Sequence, residues 1–396
     1  MDRRQFLGSG ATLTLLSPVA NQAFAAATDD ARFVLVILRG GLDGLAAVPA
    51  YGESRYRSLR GALALPAPGE EGGALKLDGL FGLHPSLQTM HRMYADGDLA
   101  VAHAVASPYR ERSHFDGQKV LEAGGTSPST SDGGWLNRAL AALSEESFGR
   151  DAIALADTVP LVLRGPVNVS SWAPSNLPGT DDDTLARVRM MYEAADPDGA
   201  MRLTDALNAR DIAGEAGMDS MQGGRQQQQL TPVTTAAARF LAADDGPRIA
   251  VIEAGGWDTH ANQGASNGNL ATRLRLLDEG LASFRTELGD HWDKTTVMIV
   301  TEFGRTVAVN GTRGTDHGTA GAAFVAGGAV AGGRVIGDWP GLRESDLYQG
   351  RDLQPTTDMR ALFKGLLSEQ YGLSARALET RVFADSESVA PISIGV

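Results

Sequence analysis

The sequence has no cysteine among its 396 residues, which excludes disulfide bonds, thiolate metal ligands and cysteine nucleophiles. No apolar run approaches the ~18 residues of a membrane-spanning helix, so stable membrane insertion of the mature chain is not expected. Cations are also scarce: 35 lysines and arginines face 48 acidic residues, and the net charge of −13 argues against nucleic acid as a partner. The 43% of hydrophobic residues can still build the core of one large α/β domain.

The N-terminus has the features of a twin-arginine signal peptide over residues 1–25. Arg3 and Arg4 form a charged pair, residues 8–19 are mildly apolar, and an Ala-Phe-Ala cleavage site ends at Ala25. These features follow one another in the order that export signals use. We therefore expect export by the twin-arginine translocation machinery, cleavage after Ala25, and a periplasmic or secreted mature protein.

The rest of the chain, residues 29–396, alternates apolar strands with helical segments and is expected to form one domain. An apolar run at 32–38 leads into Arg-Gly-Gly-Leu-Asp-Gly, and a second run at 249–252 is soon followed by Gly-Gly-Trp-Asp-Thr-His. A third run at 296–300 leads into Thr-Glu-Phe-Gly-Arg. This alternation favours an α/β fold with a mostly parallel sheet and helices on both faces. The glycine-rich residues 326–337 are predicted to form a β-hairpin.

The polar residues that follow these three strands are predicted to share one site. Parallel strands present their carboxyl ends at one edge of a sheet, and open α/β folds bind ligands at that edge. Asp258 and His260 alternate along an extended segment, so both side chains point the same way and can reach one ion. With a second Asp-His pair at Asp316 and His317, a divalent metal site is the expected chemistry.

A further polar segment precedes a predicted helix. Residues 110–117 read Arg-Glu-Arg-Ser-His-Phe-Asp-Gly, which places Ser113 at the helix N-cap. Two interpretations of this serine stay open: a plain helix cap, or a nucleophile that a metal or base activates at a helix N-terminus. His114 and Asp116 are candidates for proton transfer or for support of a metal ligand.

Arg305 is a candidate for holding an anionic substrate, because a guanidinium binds phosphate or sulfate through two parallel hydrogen bonds. It lies three residues after Glu302, at the end of the third strand. Arg110 or Arg112 could bind the same anion from the Ser113 side. The alternative for Arg305 is a salt bridge to a neighbouring metal ligand.

Together these motifs resemble those of a known bacterial family. The segments that carry the resemblance are residues 39–44, Tyr-Arg-x-x-Ser-His-Phe-Asp at 109–116, residues 255–260, Thr-Glu-Phe-Gly-Arg-Thr at 301–306 and Asp-His-Gly at 316–318. They look like those of an uncharacterised, often twin-arginine-exported family, domain of unknown function family 1501. That family is itself similar to the alkaline phosphatase and sulfatase superfamily, and the resemblance covers residues 33–373.

The resemblance implies an alkaline phosphatase-like fold with Ser113 in the position of a hydroxyl nucleophile. It implies one or two divalent ions, zinc, magnesium or calcium, with these ligands: Asp43, Asp258, His260, Glu302, Asp316 and His317. The late Asp-His pair of the superfamily is Glu-Phe at 302–303 here. One imidazole is therefore missing unless Asp316 or His114 compensates. Together with the close spacing of Asp258 and His260, this favours a single metal or a harder ion such as magnesium or calcium over two zinc ions.

Two functions are consistent with these features. The first is an exported metal-dependent hydrolase of phosphate or sulfate esters, which acts on a small anionic ester or carbohydrate substrate. The alternative is a non-catalytic exported binding or structural protein that keeps the fold, with or without one metal ion.

Overall fold

The computed structural model describes residues 30–129, 133–145, 152–173, 181–197, some positions between 199 and 210, and residues 230–395. The signal peptide expected from the sequence lies outside these residues, so it stays a prediction. None of the helices in the described ranges combines the length and the apolar character that crossing a bilayer requires.

Strands and helices alternate through most of the described chain. The strands are β1 (Arg32–Leu38), β2 (Leu75–Lys76), β3 (Gly82–Leu83), β4 (Leu99–Ala106), β5 (Ala152–Leu155), β6 (Ser170–Ser171), β7 (Ile249–Ala254), β8 (Thr295–Thr301), β9 (Gly321–Ala326), β10 (Arg334–Ile336), β11 (Leu347–Tyr348), β12 (Asp352–Leu353) and β13 (Thr357–Asp358). The helices are α1 (Gly44–Ala47), α2 (Tyr56–Arg60), α3 (Gln88–Asp96), α4 (His114–Ala123), α5 (Trp135–Glu145), α6 (Asp182–Ala195), α7 (Leu230–Ala242), α8 (Asn269–Leu288), α9 (Met359–Glu369) and α10 (Ala375–Ala377).

A nine-stranded sheet organises the fold. Its order is β10-β4-β9-β8-β1-β7-β5-β6, and β13 also pairs with β4. Strand β9 is antiparallel to both of its neighbours, β4 and β8, whereas the other pairs in this sheet are parallel. The predicted mostly parallel sheet is confirmed, and the strand predicted at 32–38 begins and ends where the sequence pattern placed it.

The two faces of the sheet pack into separate cores. In β1, Phe33 and Ile37 point into a core that contains residues of α5 and α9, whereas Val34 and Leu38 point into a core with residues of α3, α7 and α8. Burial on both faces explains why β1 is apolar at nearly every position instead of alternating with polar residues. Each fully buried large apolar side chain contributes about 1.5–3 kcal/mol to folding.

The hairpin predicted over residues 326–337 is wrong. Strands β9 and β10 do not pair with each other but lie on opposite sides of β4. The connection between them passes close to other backbone and needs glycine there. A Cβ on Gly327 would lie 1.9 Å from the carbonyl oxygen of Thr295, and a Cβ on Gly332 would lie 2.4 Å from the carbonyl oxygen of Gly97. Glycine-rich spacing alone does not distinguish a tight turn from a connection that passes close to other backbone.

The sheet brings five connections to one edge. The parallel strands β1, β4, β7 and β8 have their carboxyl ends there. Because β9 is antiparallel to β4 and β8, its amino end lies at the same edge. The segment that precedes β9 therefore meets the segments that follow the other four strands, and it carries Asp316 and His317.

Candidate metal centre

One carboxylate and three imidazole rings meet at this edge of the sheet. His114, Asp258 and His317 each offer a ligand atom, and these atoms lie within 4.8 Å of one another. Nε2 of His317 is 3.3 Å from Oδ1 of Asp258, and Nε2 of His114 is 3.5 Å from its Oδ2. Nε2 of His260 adjoins the group, 3.1 Å from Oδ1 of Asp258 and 2.9 Å from Nε2 of His317. The structure thus brings Asp258, His260 and His317 close together.

A glycine at the end of β1 allows the Asp258 segment to come this close. Gly40 has φ +122°, and a Cβ on it would lie 2.6 Å from the backbone nitrogen of Asp258. Its own amide donates to Oε1 of Glu302 at 2.8 Å. An L-residue at this position would be strained and would push the Asp258 segment away.

Each of the three rings is fixed by an oxygen acceptor at Nδ1. The acceptors are Oε1 of Glu302 for His114 at 2.8 Å, Oδ1 of Asp316 for His260 at 3.2 Å and the carbonyl oxygen of Arg112 for His317 at 2.8 Å. A carbonyl can only accept, so Nδ1 of His317 carries the proton and its Nε2 has a free lone pair. Metal-ligating histidines in proteins are held in the same way.

The facing nitrogens require positive charge between or beside them. If both rings are neutral with Nδ1 protonated toward Asp316 and Arg112, the Nε2 atoms of His260 and His317 face each other with lone pairs at 2.9 Å. Nε2 of His114 is buried without a hydrogen-bond partner among the described residues. Burial and the nearby charge of His114 lower the pKa of His317, against the hydrogen bond to Arg112, so the ring is neutral at pH 7. A divalent cation fits this donor set.

Arg305 is placed behind Asp258 and not open to a substrate. Its side chain is fully buried and forms a salt bridge with Oδ1 of Asp258. The remaining donors are taken by backbone oxygens, among them those of Gly41 at 2.8 Å and Thr315 at 3.0 Å. Of the two roles considered for this arginine, the structure shows a salt bridge, to Asp258. Burial alone would raise the pKa of Asp258, but its hydrogen bond and ion pair with Arg305 lower it overall.

Glu302 is placed behind His114 and not among the converging donor atoms. Its carboxylate is fully buried, and Oε1 accepts from His114, from Gln118 at 3.1 Å and from the Gly40 amide. The other oxygen, Oε2, accepts from the Thr301 hydroxyl at 3.0 Å. Burial would raise the pKa of Glu302, but these hydrogen bonds lower it overall. With both oxygens occupied, the side chain orients His114 instead of binding an ion itself.

Asp43 is also engaged elsewhere. It caps α1 by accepting from the Ala46 amide at 3.1 Å, and its other oxygen pairs with buried Arg60 and accepts from Gln263 at 2.7 Å. The carboxylate is 1% exposed, so these contacts replace the water it would lose. Its placement after β1 is as predicted, but its oxygens point to a structural network and not to the imidazole cluster.

Ser113 is the N-cap residue of α4, as predicted, but its hydroxyl does not cap the helix. In the described structure no side-chain capping bond runs from this residue to α4. The plain-cap interpretation therefore loses the hydrogen bond on which it depended. Asp116, in the first turn of α4, accepts from the Tyr109 hydroxyl at 3.4 Å. That contact makes Asp116 part of the support of this segment.

The imidazole of His114 lies beside the pair at Glu302 and Phe303. The His114 ring stacks on the buried Phe303 ring, with centroids 4.9 Å apart, and meets the His317 ring edge-on at 4.3 Å. Asp316, the other candidate, lies on the Nδ1 side of His260. The Phe303 ring thus supports the ring of His114.

Replacing Glu302 with glutamine should lower the pKa of His114 in the metal-free protein. The hydrogen bond from Glu302 raises that pKa above its usual 6.5, so the pair stabilises the folded protein below pH 6.5 and loses this contribution as pH rises through the raised value. NMR titration of the histidines measures the change. His103, which burial holds at a pKa of about 4, is the internal control. An unchanged His114 titration in Glu302→Gln would contradict the assignment.

A model of the family described as "Protein of unknown function (DUF1501)" matches residues 30–382. Among curated proteins none matches. Similar solved structures include the phosphonate monoester hydrolase of Agrobacterium radiobacter (13% identity, 86% of this chain and 74% of that chain, TM-score 0.35), a 2-O GAG sulfatase (13%, 92% and 73%, 0.36) and a TAB5 alkaline phosphatase mutant (12%, 77% and 93%, 0.35). At identities this low, the side chains of this chain decide which chemistry it can perform.

Proposed function

The chain belongs to the DUF1501 family, and we propose that it is an exported metal-dependent hydrolase of phosphate or sulfate esters. The observation that carries the proposal is the convergence of imidazole Nε2 atoms on the Asp258 carboxylate, with every Nδ1 already satisfied by an oxygen. In the neutral tautomers described above, this donor set places lone pairs against one another, and a bound cation would relieve that repulsion. A small anionic ester, including a sulfated or phosphorylated carbohydrate, is the proposed substrate class.

The proposed ligands are His114, Asp258 and His317, with His260 as the adjoining fourth donor. Nitrogen-rich sets of this kind suit zinc, whereas magnesium and calcium prefer oxygen ligands. When bound, zinc supplies a Lewis acid that polarises the transferring group and lowers the pKa of a nearby hydroxyl or water. We therefore favour zinc over the harder ions.

The supporting residues fix the direction of the two rings. Glu302 holds Nδ1 of His114, and the Arg112 carbonyl holds Nδ1 of His317, so both Nε2 atoms face Asp258. Arg305 keeps Asp258 ionised and in place. Because the Arg305 guanidinium is buried, the bound metal ion and the N-terminus of α4 are proposed to recognise the substrate anion.

Ser113 is the proposed nucleophile. Its hydroxyl stands at the N-terminus of the ten-residue α4, next to His114, and forms no capping bond there. A helix N-terminus stabilises a negative group through its free amides, which suits the phosphate or sulfate of a covalent intermediate. The hydroxyl oxygen would attack the phosphorus or sulfur, the ester oxygen would leave, and water would later release the group from the serine.

Ser113→Ala should lower turnover of aryl phosphate or aryl sulfate esters by at least about a hundredfold at unchanged zinc content, because the nucleophile is removed and the ligands remain. The assay uses zinc-loaded protein, with elemental analysis of each sample. Ser58→Ala, at an exposed position of α2, is the matched control and should keep full activity. Unchanged turnover in Ser113→Ala would remove the nucleophile role.

A non-catalytic binding or structural protein is the second candidate. The burial of Arg305 favours it, because the cation predicted to hold the substrate is committed to Asp258 and to backbone oxygens. The same ester screen separates the two functions. Wild-type protein that contains zinc and hydrolyses neither ester class would support the second.

Export by the twin-arginine route is also proposed, on the pattern within residues 1–25. Replacing both Arg3 and Arg4 with lysine should leave the uncleaved chain in the cytoplasm, because they form the charged pair ahead of the apolar stretch. Cell fractionation followed by a size comparison measures this. Mature protein in the periplasm at the wild-type level would refute the assignment.

A further inference from the structure

A small hairpin formed by β11 and β12 holds His317 in place in two ways, by a direct hydrogen bond and through Arg112. In its turn, Nη2 of Arg351 donates to the carbonyl oxygen of His317 at 3.0 Å. Asp352, the first residue of β12, pairs with Arg112, and the carbonyl oxygen of Arg112 accepts from Nδ1 of His317. The hairpin thus acts on both the backbone and the ring of one proposed ligand, although it contributes no ligand itself.

Arg112 has an unusual backbone conformation. Its φ is +61°, a left-handed value that a residue with a side chain adopts only where its surroundings fix it. Nε lies 2.8 Å and Nη2 2.7 Å from Oδ2 of Asp352, and Nη2 also donates to Oε1 of Gln349 at 2.8 Å. The guanidinium lies over the Tyr348 ring, 5.8 Å from its centroid. All of these partners belong to the hairpin.

The Asp352 carboxylate is fully buried, and it faces Arg112 with one oxygen. Burying a charged pair costs desolvation free energy, so the pair is weak evidence for stability as such. Its geometry instead fixes the direction of one carbonyl, that of Arg112. That carbonyl decides which nitrogen of His317 carries the proton.

We propose that Arg112 and Asp352 are positioning residues of the metal centre. The buried ion pair holds Arg112 in the left-handed conformation, its carbonyl takes the Nδ1 proton of His317, and Nε2 is left free to bind the metal next to Asp258. The inference rests on the proposed function only in that His317 is taken as a zinc ligand.

Asp352→Asn tests this, because it keeps the size of the side chain and removes its charge. Zinc affinity, measured by competition with a chromophoric chelator, should fall by about 10–100-fold, the usual effect of losing an outer partner of a ligand. In the metal-free protein, NMR nitrogen shifts of isotope-labelled His317 should move from the Nδ1-protonated tautomer toward a mixture. Asp346→Asn, in the exposed Arg343–Asp346 pair at the start of the same hairpin segment, is the matched control and should change neither quantity.

Arg112→Gly is the second variant, in case Asp352→Asn does not fold. Glycine keeps the backbone carbonyl and allows φ +61° without strain. It removes the ion pair with Asp352 that holds this conformation, so the same fall in zinc affinity is expected. If the folded variants keep the zinc affinity and the His317 nitrogen shifts of the wild-type protein, the proposal is overturned, even if the protein hydrolyses esters. Conversely, a wild-type protein that binds zinc but hydrolyses no ester would overturn the proposed function and leave this inference standing.

Discussion

Asp258→Asn should reduce ester turnover by about a thousandfold, together with a loss of bound zinc. The Asp258 carboxylate is the group on which the imidazoles converge, with His260 and His317 near Oδ1 and His114 near Oδ2. Asparagine keeps an oxygen that accepts from Arg305, so the buried guanidinium is not left unpaired and the fold should survive. Elemental analysis and steady-state kinetics measure the two effects.

Asp316→Asn is the matched comparison for this prediction. Asp316 contacts Nδ1 of His260 and the side chain of Asn310, outside the inner group of His114, Asp258 and His317. Its replacement should cost no more than about tenfold in zinc affinity, the lower end for an outer partner. A larger loss in Asp316→Asn than in Asp258→Asn would contradict the proposed ligand set and place the ion on the outer side of His260.

Chelation should lower the melting temperature of the wild-type protein by about 5 °C, because zinc at a thousand times its Kd stabilises the native state by ~4 kcal/mol. His317→Ala should abolish most of this shift and His260→Ala should reduce it, since one ligand is lost in each. His91→Ala, which removes a ring bonded to the Lys76 carbonyl at 2.9 Å, is the control and should keep the full shift.

Thermal melts with and without chelator measure these shifts. Equal chelator shifts in His317→Ala and His91→Ala would show that His317 is not a ligand. A wild-type melting temperature that does not respond to chelator would mean that the protein works without metal, in which case the non-catalytic function becomes the better account.

The fold and the location of the site could be predicted because they depend on simple patterns. Strands buried on both faces read as continuous apolar runs, and parallel strands share one carboxyl edge, so Asp258, His260 and His317 could be grouped from sequence alone. The antiparallel β9 could not be foreseen. Its reversal nevertheless brings the Asp316 and His317 segment to the expected edge.

The roles of individual acids could not be predicted, because sequence position does not reveal side-chain direction or competing partners. Asp43 and Glu302 both follow strands, as metal ligands do. The carboxylate of Asp43 is paired with Arg60, however, and that of Glu302 with His114. The contribution of Arg112 is a backbone carbonyl, which no residue pattern specifies. Its one detectable signal, the left-handed φ, exists only in the folded chain.

The ligand-bearing segments are far apart along the chain, and this affects how the protein unfolds. His317 is 205 residues from Arg112, and Glu302 is 188 residues from His114, so the unfolded chain holds no preformed site. The proposed zinc would bind only after the sheet has brought its edge together, so we expect the contacts it stabilises to form late in folding. Interactions absent from the folding transition state slow unfolding and leave the folding rate nearly unchanged. Bound metal should thus lengthen the lifetime of the native state, which decides survival where chains unfold irreversibly.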